Sequence, residues 1–73
     1  MMPGTIMNTA GGPIRFYAGP AKLEENAEPC VVKWGHAPDT ATRIDDKEQG
    51  VIIARIARLD GVPAEKLQFR AAA

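Results

Sequence analysis

The clearest alternation of apolar and polar positions runs from Asp45 to Gly61, DDKEQGVIIARIARLDG, where Ile52, Ile53, Ile56 and Leu59 recur at three- and four-residue spacing and Lys47, Arg55 and Arg58 fall away from them. That period gathers the aliphatic residues onto one stripe of a helix. Asp45 stands three residues before Glu48, the spacing of a capping box, and Gly61 supplies a stop. The pattern predicts a helix over about Asp45 to Leu59, with Gly50 as the mark of a later start. A hairpin with TATRI and VIIARIARL as strands is the competing reading, favoured by the β-branched Val51, Ile52 and Ile53. It would send Ile52 and Ile53 to opposite faces, whereas Ala54, Arg55, Ala57, Arg58 and Leu59 are good helix formers.

Elsewhere the period is two. Ile14, Phe16 and Ala18 alternate with Arg15 and Tyr17, which predicts a strand over Pro13 to Ala18, closed by Gly19 and Pro20. Cys30, Val32 and Trp34 alternate with Val31 and Lys33 as a second strand, and Leu67 and Phe69 alternate with Gln68 and Arg70 as a third. Between the first two, Ala21 to Pro29 is acidic and too short for a stable helix, so a loop is expected with Glu24, Glu25 and Glu28 in water. Residues 1–12 are small, glycine-rich and unpatterned and read as a flexible tail, and Ala71 to Ala73 as a frayed end. The expected fold is a single α+β domain over residues 13–70: a ββαβ order, with one amphipathic helix packed on a short, mainly antiparallel sheet.

The chain has 73 residues, and a domain of that size buries only about 60% of the surface its unfolded chain exposes. Such a thin margin favours help from a partner. Nine Lys and Arg balance nine Asp and Glu, so no overall field draws the chain toward nucleic acid or an anionic membrane. A secretory leader and an apolar run long enough to cross a bilayer are both missing from the pattern, so a cytoplasmic protein without a membrane association is expected. One cysteine and one histidine exclude an intramolecular disulfide and the usual zinc ligand sets.

Cys30 and His36 are the one nucleophile and base the sequence offers, but the strand pattern places Cys30 with Val32 and Trp34 as a small buried group. Asp45, Asp46 and Glu48 lack the alternating loop that holds a hard cation and are accounted for by helix capping. No glycine-rich phosphate loop is present. The sequence therefore points to no enzyme and no cofactor. What strand alternation does assemble is a face opposite the helix, carrying Arg15, Tyr17, Lys33, Gln68 and Arg70.

Two further likenesses concern the order of elements. Ala57, Gly61 and Leu67 lie at the small, turn and apolar spacings of a helix-turn-helix, although Leu67 to Arg70 alternates as a strand. The stretch PDTATRIDDKEQ through GVPAEKLQF resembles the middle of a ubiquitin-like β-grasp domain, in which a strand leads into a helix that ends in glycine, an apolar residue and proline. That resemblance covers less than half of the chain, and Ala71 to Ala73 stand where conjugated members carry a diglycine. It implies a helix crossing a sheet, and no activity.

The expected function is a small non-enzymatic protein-binding or regulatory, inhibitor-like module that acts through its sheet face, an edge strand or the acidic loop. Its partner would be a larger protein, with homodimerisation through an unpaired edge as a further expectation. The alternative is a nucleic-acid accessory whose basic face holds phosphates, with Tyr17 as the stacking platform.

Overall fold

The computed structural model describes residues 3–71 and shows one helix packed on a five-strand antiparallel sheet, a small α+β domain. The strands are β1 (Pro3–Asn8), β2 (Arg15–Tyr17), β3 (Trp34–Gly35), β4 (Ile44–Asp45) and β5 (Leu67–Ala71), with helix α1 (Gln49–Asp60) between the last two.

The sheet is organised around β1, the segment expected to be a tail. It pairs with β5 from Gly4–Ala71 to Asn8–Leu67, with β2 at Met7–Phe16 and Asn8–Arg15, and with β4 at Pro3–Asp45 and Gly4–Ile44. A strand has two edges, so β5 occupies one and β2 and β4 share the other end to end, with β3 outside β2. The folded unit thus begins at least ten residues before Pro13, and only Met1 and Met2 of the expected tail, like Ala72 and Ala73 of the expected frayed end, lie outside the described residues. Close approach requires Gly4 on this strand: a Cβ there would stand 2.3 Å from the Arg70 carbonyl oxygen and 2.5 Å from the Phe69 ring.

Directly opposed residues of antiparallel strands share a face. Ile6 and Tyr17 therefore point inward with Asn8, Leu67 and Phe69, toward α1, and Thr5, Met7, Phe16, Gln68 and Arg70 point the other way. The phase predicted for β2 is inverted. Tyr17 is fully buried, and Ile14, expected inside, is 50% exposed. Asn8 drives part of this geometry. Its side-chain oxygen accepts the Ala10 N–H at 2.9 Å, which turns the chain into the β1–β2 connection, where Gly11 takes φ 81.

The second predicted strand, Cys30 to Trp34, is a 3-10 turn at Pro29–Val31 followed by the two-residue β3. Pro29 presets the turn, and the Val32 N–H closes it on the Pro29 carbonyl at 3.1 Å. Cys30 is consequently exposed rather than buried.

Helix α1 starts four residues later than Asp45. Asp45 belongs to β4, and its carboxylate accepts the Lys47 N–H at 3.1 Å, so the expected capping box does not form and Glu48 holds the N-cap position without a side-chain bond. That amide hydrogen bond above all holds the Asp45 carboxyl below its ordinary range. The stop is as predicted: Gly61 adopts φ 71 and its N–H returns to the Ala57 carbonyl at 3.0 Å. Ile52 and Ile56 meet Ile6, Tyr17, Leu23, Val32, Ile44 and Leu67 in the core, with Ile53, Leu59, Trp34 and Phe69 at its margin.

Candidate functional site

Of the five residues predicted to share a recognition face, the structure keeps three together. Gln68 and Arg70 are exposed on the side of β5 turned away from the helix, and Lys33, aligned with Ala18 through the Ala18 N–H to Lys33 carbonyl bond at 2.8 Å, lies on the same side beyond β2. The two β2 residues are on the other side. Tyr17 is a core residue whose ring meets Trp34 edge-on, with centroids 6.1 Å apart, and whose hydroxyl donates to the Pro20 carbonyl at 2.8 Å. Burial pushes its pKa up to about 12. Arg15 sets its guanidinium 5.7 Å from the centre of the Trp34 ring, and the Trp34 indole N–H reaches Asp60 at the end of α1 at 3.0 Å. Tyr17 is therefore no stacking platform, and Arg15 is engaged along the inner margin.

Sequence reasoning missed what takes their place. Met7 and Phe16, a directly opposed pair, sit half-buried at the middle of the open face, with Thr5 beside Arg70. The result is an apolar centre with cations at two margins, Lys33 and Arg70. Asp45 lies at the far corner opposite Pro3, its carboxylate turned back to the Lys47 amide. The 3-10 turn Pro38–Thr40 borders the face at Gly35, where a Cβ would come within 3.1 Å of the Thr40 hydroxyl. The inverted β2 phase was the obstacle: once Tyr17 is recognised as the inward residue, Phe16 follows outward by alternation.

A second concavity lies between α1 and the acidic loop. Two neighbouring depressions of about 290 and 370 Å³ share Val51 and Arg55, with Lys22, Leu23 and Glu24 on the loop side. Its two arginines already have partners. Arg55 donates to the Leu23 carbonyl at 2.8 Å, and Arg58 donates to the Glu25 carbonyl and stands 3.8 Å from its carboxylate. These bonds fasten the loop over the fully buried Leu23. Arg55→Ala is expected to cost about 1–2 kcal/mol, read as a lower urea midpoint, and to speed proteolytic cleavage within residues 20–28. Unchanged cleavage there would mean that the arginine does not fasten the loop.

Among the described residues, no group of three or more His, Cys, Asp or Glu side chains is placed to hold a metal ion, and no helix is long and apolar enough to cross a membrane. Cys30 and His36 are both exposed, on the turn Pro29–Val31 and just after β3. Comparison with protein-family models, with curated proteins and with solved structures gives no match to this chain.

Proposed function

We propose that this chain is a small non-enzymatic protein-binding module, regulatory or inhibitor-like, that engages a larger protein through the open face of its sheet. The observation that carries the reading is the arrangement of Met7 and Phe16 as an apolar centre between Lys33 and Arg70, on the face that α1 leaves uncovered. Interfaces concentrate their energy in a central aromatic or aliphatic anchor, while charges at the rim govern selectivity and encounter. The matching partner surface carries a protruding apolar side chain flanked by carboxylates. Rigid strands hold these groups in fixed register, which limits the ordering cost of binding.

The test is affinity capture from the native host with the wild-type chain, the double variant Lys33→Glu/Arg70→Glu, and Val51→Ser as a control in the concavity beside α1. Proteins retained by the wild type and by Val51→Ser, and bound about tenfold more weakly by the double variant, fit the proposal. Equal retention by all three sinks it. Salt-dependent binding of oligonucleotides that is lost in the double variant would move the same face to the nucleic-acid class.

A further inference from the structure

We infer that β5 is a self-pairing edge, and that two copies of this chain join there, antiparallel, in a register centred on Phe69. The direction of the backbone groups comes from the ladder with β1. Thr9 N–H donates to the Lys66 carbonyl at 2.8 Å, so Thr9–Lys66 is a hydrogen-bonded pair, and by alternation so are Met7–Gln68 and Thr5–Arg70. The N–H and C=O groups of Leu67, Phe69 and Ala71 therefore face away from β1. Leu67 N–H closes the preceding 3-10 turn on the Ala64 carbonyl. Phe69 retains both of its groups on an edge that has no strand partner among the described residues.

The sequence of β5 selects the register. An antiparallel pair of identical strands in one sheet must centre on a residue, because any other alignment opposes side chains from different faces. Centring on Gln68 places Arg70 opposite Lys66 of the second copy, and centring on Arg70 opposes the two arginines. Both are repulsive. Centring on Leu67 requires Ala64–Lys66 to be strand, and it is a 3-10 turn, while centring on Ala71 opposes only Ala71 to itself within β5. Centring on Phe69 opposes Gln68 to Arg70 on the open face and Leu67 to Ala71 on the inner one. Phe69 then exchanges two hydrogen bonds with Phe69 of the second copy. The two-fold axis is perpendicular to the sheet, so both helices lie on one side and both open faces on the other.

The Gln68–Arg70 pairing gives an oppositely signed test. Gln68→Glu creates two symmetric ion pairs and is expected to tighten self-association about threefold to tenfold, while Gln68→Arg loosens it by a similar factor. Sedimentation equilibrium on the full chain measures both, with circular dichroism as the check on folding. Ala71→Pro removes an edge-facing N–H outside the β1 hydrogen bonds and is expected to weaken the dimer while the fold is kept. The proposal stands if the wild type associates with concentration, the two Gln68 variants move in opposite directions and Ala71→Pro weakens the complex. A monomeric wild type at its highest soluble concentration overturns it. So does a dimer indifferent to these changes.

Discussion

A chain lacking residues 1–8 is expected to show no cooperative unfolding transition. The deletion removes β1, and with it the hydrogen-bonded ladders to β5, β2 and β4 and the fully buried Ile6. A chain of this size has a total stability of roughly 4–11 kcal/mol. Losing Ile6 alone costs about 2–5 kcal/mol, and each lost backbone bond adds about 1 kcal/mol, so the deletion consumes the whole margin. Far-ultraviolet circular dichroism followed through a urea titration measures this. A sigmoidal transition near the full-length midpoint would return residues 3–8 to the role of a dispensable tail.

Tyr17→Ala is expected to cost about 3–5 kcal/mol, since it empties a fully buried site between Ile6 and Trp34. Tyr17→Phe isolates the hydroxyl: the Pro20 carbonyl loses its donor, at about 1 kcal/mol. The phenol also gives stability an alkaline limit. Its pKa is raised by burial from 10.0 to about 12 in the folded chain, so the unfolded chain releases the proton first. The associated stability, on the order of 2 kcal/mol, is complete below pH 10 and is lost as pH rises toward 12. Urea midpoints measured across that window should fall more steeply for the wild type than for Tyr17→Phe. Parallel slopes would show that Tyr17 titrates as freely as it does in the unfolded chain.

The fold class, α1 and β5 were legible because each repeats its signal. Ile52 and Ile56 return on one helical face, Gly61 ends it, and Leu67 and Phe69 alternate with two polar residues. β1 was illegible for a physical reason. Its inward positions are Gly4, Ile6 and Asn8, so only one of the three is a large apolar residue, and the glycine is there because Phe69 and the Arg70 carbonyl fill the space a side chain would need. Asn8 is wholly buried and its side-chain N–H₂ finds no partner among the described residues, the kind of polar core position that pattern reading assigns to solvent. Composition around it, with Gly11 and Gly12 close by, then reads as a tail. The turn chemistry from Asn8 to Pro13, flanked by TIM and by RFY, was the available hairpin signal.

The proposed recognition face was legible only in part, for a related reason. Gln68 and Arg70 follow from a strand whose phase is unambiguous. In β2 the apolar residues Phe16 and Tyr17 are adjacent, and period two cannot decide which faces the core. The decision comes from β1, where Ile6 stands opposite Tyr17, and from the Pro20 carbonyl that receives the phenol. The second predicted strand failed because Pro29 imposes a turn that the alternation of Cys30, Val32 and Trp34 does not reveal.

The pairing of β1 with β5 also constrains how the molecule comes into being. Thr9 and Lys66, bonded at the end of that ladder, are separated by 57 residues. On a ribosome β1 is therefore made well before β5, and the edge of β1 that receives β5 stays open while the residues between them are synthesised. That interval is when misassembly between nascent chains is most competitive. A circular permutant that joins the two ends and opens the chain in the acidic loop would bring these strands together early, making the slowest closure a local hairpin.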